Sequence, residues 1–184
     1  MRLETLERDR YYHIYNRGIN GCDIFKNDNN YNYFLKLFSK YLTGYINIYA
    51  YCLLNNHYHF IIRVDEDEKI VTQKLSNFFN AYAKAFNKQH NRTGSLFEKH
   101  FKRIKLQSDN YLLNLILYVH TNPIKHSFTD NFENYRYSSY KEIVNDTSKN
   151  INSKEVIGLF DDLYNFKYVH KYKNEVLSEK FTFE

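Results

Sequence analysis

Asn55-Asn56-His57-Tyr58-His59-Phe60-Ile61-Ile62-Arg63-Val64 is the stretch on which the reading of this chain turns. Its β-branched and aromatic side chains predict a strand, along which successive side chains point to opposite faces. His57 and His59 then emerge together on one face. Tyr58, Phe60, Ile62 and Val64 turn to the other and can bury against a core. Two neutral imidazoles side by side form a ready pair of metal ligands. Taken alone, the spacing is met more often as two half-exposed strand histidines holding nothing. Just upstream, residues 45–53 read as a second strand, and the tight Leu54-Asn55-Asn56 turn makes the two a hairpin.

Around this hairpin the chain alternates between periods. Residues 11–16 are aromatic and β-prone and close in the turn-rich Arg17-Gly18-Ile19-Asn20-Gly21. Tyr31, Phe34, Leu35, Phe38, Tyr41 and Leu42 recur at threes and fours, which predicts a helix over 30–42, ended by Gly44. The acidic run Asp65-Glu66-Asp67-Glu68 suits a helix N-terminus, and the helix is expected to continue through Leu75, Phe78, Phe79, Tyr82 and Phe86. A fourth strand is expected over 96–106, then a helix capped by Asp109. Strand-helix-strand-strand-helix-strand is a ferredoxin-like (βαββαβ) order. The expected class is α+β: an antiparallel sheet with helices on one face, plus a C-terminal helical extension around 155–172. Residues 1–140 are read as the domain and 141–184 as an extension of it.

A second constellation lies in the late helix. Tyr118 and Asn122 stand four apart, on one helical face, and Pro123, the only proline, is expected to stop the helix near Asn122. If that face turns toward the histidine pair, it supplies a phenol as nucleophile and a carboxamide as third metal ligand. With 19 tyrosines in 184 residues, a packing role for any one of them is the ordinary alternative.

Composition bounds the class. The chain has the length of one domain, with 43% hydrophobic and 26% charged residues, as in soluble globular proteins. A net charge of +5 suits a polyanionic partner. The charged N-terminus has no apolar core of a secretory leader, and no stretch approaches a membrane span in length. Two cysteines, Cys22 and Cys52, without paired spacing, argue against a cysteine-bound zinc site. A cytoplasmic, nucleoid-associated location is expected.

Five blocks in order carry a resemblance: Tyr15-Asn16-Arg17-Gly18, the run Tyr51 to Phe60 around the histidines, Gly94 to Lys102, Tyr118-Val119-His120-Thr121-Asn122-Pro123, and Tyr135 to Tyr140. Together they resemble the REP-associated tyrosine transposases, in the single-tyrosine branch of the HUH endonucleases. Tyr58 is a large, partly polar version of the hydrophobic residue between that family's histidines. The resemblance runs from Tyr11 to Tyr140, and little matches beyond.

It implies a DNA strand transferase that cleaves and rejoins single strands bearing hairpins of the repeated extragenic palindrome type. The nucleophile would be Tyr118, forming a 5′-phosphotyrosine intermediate, with Mg²⁺ or Mn²⁺ held by His57, His59 and Asn122. A homodimer or a monomer is compatible with it. The alternatives are a domesticated, non-catalytic hairpin binder of the same fold and an unrelated metal hydrolase. Superfamily nucleases with a third histidine are a further relation, but none stands near His59 along the chain. For DNA contact, six basic residues lie between Lys88 and Lys105 against one acidic, Glu98, interleaved with Phe97 and Phe101. That mixture suits single strands, whose phosphates take the charges and whose bases stack on rings. Arg92, Lys99, Lys102, Arg103 and Lys105, with Arg17 at the end of the first strand, are the expected contacts. His13, His120, His126 and His170 are expected to be structural or exposed.

Overall fold

The computed structural model describes residues 4–148 and 150–172. Four strands, β1 (Tyr11–Arg17), β2 (Ile46–Leu53), β3 (His57–Val64) and β4 (Lys102–Lys105), form one sheet in the order β2-β3-β1-β4. All neighbours are antiparallel. α1 (Asp28–Leu42) joins β1 to β2 and α2 (Glu68–Gln89) joins β3 to β4, so the ferredoxin-like order is borne out. α1 opens on Asn27, whose side chain accepts from the Asn30 amide. α2 opens on Asp67, which caps Lys69, with Glu68 in the first turn. Asp65, from the same acidic run, instead pairs with Arg63 at 2.9 Å.

The pleat of β3 divides the molecule. Its even-numbered residues meet α1 and α2 in an aromatic core: Phe34 of α1 lies 5.4 Å from Tyr58, 4.7 Å from Phe78 and 4.8 Å from Tyr82, centroid to centroid. Each such ring, fully buried, contributes about 1.5–3 kcal/mol. The odd-numbered residues face the other way, toward α3 (Asp109–Lys125), which packs over β2 and β3. The β2–β3 turn is clamped from outside. Asn55 O accepts from the amides of Ile24 and Phe25, and Asn56 O accepts from Gly18, all at 2.8 Å. Gly18 is required there, since a Cβ would stand 1.9 Å from the Cys22 carbonyl oxygen. This clamp sets where His57 enters the sheet.

Three boundaries differ from expectation. β4 holds only Lys102–Lys105, because His100 adopts φ 58°, a left-handed turn that a continuing strand does not allow. Upstream, Phe97 makes a single bridge to Gly18. Ser108 rather than Asp109 caps α3, accepting from the Tyr111 amide. The helix also runs past Asn122 and Pro123 to Lys125. A proline this close to the end removes one intrahelical bond, and the His126 amide closes the turn onto Asn122 O.

The expected helical segment around 155–172 is two helices, α5 (Ser153–Gly158) and α6 (Leu163–Tyr172), preceded by a short α4 (Tyr140–Asn145). Residues 173–184 of the expected extension lie outside the described residues. Arg63 of β3 reaches Glu155 of α5 at 3.2 Å. Phe166, Val169 and His170 of α6 are buried. Among the described residues, no helix is long and apolar enough to cross a membrane.

Candidate active site

Pairing of β1 with β3 sets Arg17 opposite His57 and Tyr15 opposite His59, with His13 one step further along the same face. The rings of His57 and His59 meet edge to face at 5.2 Å. Each is held through its Nδ1. His57 Nδ1 donates to Asn56 Oδ1 at 2.6 Å, and because that oxygen only accepts, the lone pair of His57 is on Nε2. His59 Nδ1 lies 2.9 Å from His13 Nε2. Burial, reinforced by the neighbouring histidines, holds His59 well below the usual imidazole range, and burial alone takes His13 down to about 3. Both are neutral at pH 7, the form in which imidazole binds a cation.

α3 brings the second constellation to the first. The Tyr118 ring stands edge-on to His59 at 5.9 Å, and Lys125 Nζ lies 5.1 Å from the Tyr118 ring centroid. Asn122 follows one turn later on the same helix. Tyr118 is 3% exposed and Asn122 1%. His59 Nε2 and both carboxamide atoms of Asn122 are buried without a hydrogen-bond partner among the described residues. Leaving a polar group so costs about 1–3 kcal/mol each. Of these atoms, His59 Nε2 and the Asn122 carboxamide oxygen are of the kind that bind a cation, while the Asn122 amide nitrogen can only donate. Among the described residues no three His, Cys, Asp or Glu side chains are grouped to hold a metal. A cation here would therefore need the Asn122 carboxamide and oxygen ligands from outside the protein.

In front of the histidines is a cleft of about 390 Å³, lined by Tyr15, Asn16, Arg17, Asn56, His57, His59, Glu98, Lys102 and His126. Of the residues expected to meet DNA, Arg17 and Lys102 line it. Arg17 is paired with Glu98 at 2.9 Å across its wall. Lys99 lines an adjoining cavity of about 420 Å³ between α2 and residues 94–101, beside Lys84 and Phe101. The other three lie elsewhere. Arg92 bonds to Asn87 Oδ1 and Ser95 O and braces its own loop. Arg103 and Lys105 stand opposite Ile14 and Tyr12; Arg103 stacks on Phe101 at 4.7 Å and Lys105 pairs with Glu7 at 2.7 Å. Tyr118 and Asn122 do not line the cleft; the Tyr118 ring packs against His59 instead.

Two histidines that sequence reading set aside belong here. His13 touches His59, and the His126 ring stands 4.8 Å from that of His57. His13 has a readable signal, alternating with Tyr15 and Arg17 on β1, but its meaning depends on the β1–β3 register. His126 has none, because its place depends on α3 continuing through Pro123. His120 and His170 are structural, as expected: both are buried and bonded to each other at 2.8 Å.

No protein-family model matches the chain. A protein of Haemophilus influenzae, provisionally named a REP-associated tyrosine transposase, is 22% identical, over 54% of this chain and 71% of its own length. Among solved structures, a REP-associated tyrosine transposase bound to a REP hairpin superposes with a TM-score of 0.63, at 15% identity, over 79% of this chain and 84% of that one. The resemblance read from the five blocks is thus matched in both sequence and fold: this chain is similar to the REP-associated tyrosine transposases.

Proposed function

We propose that this chain cleaves and rejoins single-stranded DNA bearing a hairpin, with Tyr118 as nucleophile and a divalent cation, Mg²⁺ or Mn²⁺, held by His57, His59 and Asn122. The observation that carries the reading is the meeting of Tyr118 with His59, whose Nε2 is buried without a hydrogen-bond partner among the described residues. A neutral donor set leaves a hard cation most of its charge, which favours oxygen ligands such as phosphate and water. When bound, such an ion supplies charge neutralisation at a non-bridging phosphate oxygen.

The chain's own residues account for the rest. Arg17 and Lys102 line the approach and attract the strand's phosphates. Free tyrosine is almost wholly protonated at neutral pH. Lys125 Nζ stands 5.1 Å from the centre of the Tyr118 ring, a positive charge beside the proposed nucleophile. The Tyr118 oxygen, having given up its proton, bonds to phosphorus. The bond from phosphorus to the 3′-oxygen breaks, and that oxygen gains a proton. A 5′-phosphotyrosine link and a free 3′-hydroxyl result. The covalent link keeps the phosphodiester's energy, so attack by another 3′-hydroxyl rejoins strands without ATP. The phenol is 3% exposed and does not line the cleft, so cleavage requires a movement that presents it there.

That burial favours one second reading, a hairpin-binding protein of the same fold that does not cleave. Incubation with end-labelled, hairpin-bearing single-stranded DNA and Mn²⁺ or Mg²⁺, followed by a denaturing gel, separates them. Label migrating with the protein is expected. Hairpin binding with no such band under either ion leaves the second reading.

A further inference from the structure

We infer that His13 is a positioning residue: by accepting from His59 Nδ1 it holds His59 in the tautomer whose Nε2 lone pair is available to a cation. The inference rests on the metal reading above. Geometry supports it from three sides. His13 is fully buried on β1, and its Nε2 lies 2.9 Å from His59 Nδ1. The two rings are nearly parallel, with centroids 5.1 Å apart and planes at 20°. Tyr15, directly opposite His59 in the register, stacks on His13 at 4.7 Å and on His59 at 5.9 Å. The stacked rings hold the plane of His59, and turning that ring over would replace Nδ1 by a carbon and lose the contact with His13.

One proton bridges the two imidazoles, and its position decides what Nε2 of His59 can do. If His13 donates, His59 carries its proton on Nε2 as a buried N–H with no acceptor among the described residues, unable to bind a cation. If His59 donates, Nε2 is an open lone pair. His57 likewise carries its proton on Nδ1, through a different partner, the Asn56 carboxamide oxygen. Both histidines are thereby oriented through Nδ1, but by neighbours of different chemistry, and only the His59 partner comes from another strand. A ligand's outer partner fixes tautomer and ring orientation in metal sites generally. A neutral imidazole in this place orients His59 without adding negative charge beside the phosphate.

The test begins with the metal-free, full-length protein labelled with ¹⁵N, in which long-range ¹H–¹⁵N correlations report the His59 tautomer directly. A proton on Nδ1 is expected; a proton on Nε2 in the wild-type protein overturns the inference. His13→Gln keeps an acceptor near the same place and His13→Phe removes it. In the Phe variant His59 should move to the Nε2–H tautomer, and Mn²⁺ affinity, read by paramagnetic resonance of the free ion, should fall about 10- to 100-fold. The Gln variant should stay within a few-fold of wild type. Equal affinity in all three proteins would also overturn the role. If His13→Phe does not fold, the wild-type tautomer and the Gln variant still decide. Failure of wild-type protein to bind Mn²⁺ at all would sink the metal reading, while the tautomer measurement tests His13 separately.

Discussion

Two buried histidine pairs, one beneath the cleft and one behind α3, show how similar burial serves different ends. His120 and His170 belong to a closed chain. His170 Nδ1 donates to Phe166 O at 2.7 Å, His120 Nδ1 donates to His170 Nε2 at 2.8 Å, and Ser139 Oγ donates to His120 Nε2 at 2.8 Å. The Tyr51 amide completes it by donating to Ser139 Oγ at 2.8 Å. Every polar atom there is used, and the result ties α6, α3 and β2 together. The His13–His59 pair is as deeply buried, but His59 Nε2 has no partner among the described residues. Burial and neutrality are shared; unfilled hydrogen-bonding capacity next to a cleft is what separates a candidate site from a structural joint.

The strongest way to break this contrast is at Tyr118. Tyr118→Phe should still bind hairpin-bearing single strands but form no covalent adduct, a loss of several orders of magnitude on a denaturing gel. An adduct that survives moves the nucleophile elsewhere. Next come the stability effects, measured by urea unfolding. His120→Ala breaks the closed chain and leaves a cavity, and should destabilise by roughly 3 kcal/mol. Asn122→Ala removes a carboxamide that has no partner among the described residues, the relief offsetting the lost packing, and should change metal-free stability by less than about 1 kcal/mol. Comparable losses from both would erase the distinction.

Acid titration tests what the two pairs share. Burial takes His13 and His170 down to about 3 from an ordinary 6.5, and holds His59 and His120 well below it. Below about pH 6.5 the unfolded chain takes up protons that the fold refuses, so the unfolded state binds more protons. Stability should be complete above that pH and decline as pH falls from 6.5 toward 3. His170→Gln should make the decline in melting temperature shallower, and an unchanged slope would remove that pair from the acid response. The smallest effect expected is at the cleft rim. Lys102→Ala should weaken hairpin binding several-fold and reduce its salt dependence by roughly one phosphate contact, while Lys105→Ala, turned away and paired with Glu7, should change neither.

Local pattern carried the scaffold. The periodicity of α1 and α2 and the alternation in β3 led to the right order of elements, because apolar spacing reports directly which side of an element is buried. Where a local rule met tertiary packing, it lost. The Asn122–Pro123 step looked like a helix end, and α3 passed through it with His126 reaching the cleft as a result. The basic run 88–105 looked like one DNA-facing surface. The left-handed turn at His100 and the pleat of β4 instead sent Lys102 to the histidine face and Arg103 and Lys105 to the other.

From residue order alone came the ferredoxin-like plan, the common face of His57 and His59, and the shared helical face of Tyr118 and Asn122, since each follows from a repeat of two or of 3.6 residues. That Tyr118 stands against His59, that His13 touches it, and that two of six proposed cations line the cleft depended on strand register and on how α3 lies across the sheet. Those are long-range choices made by packing, and no local spacing encodes them.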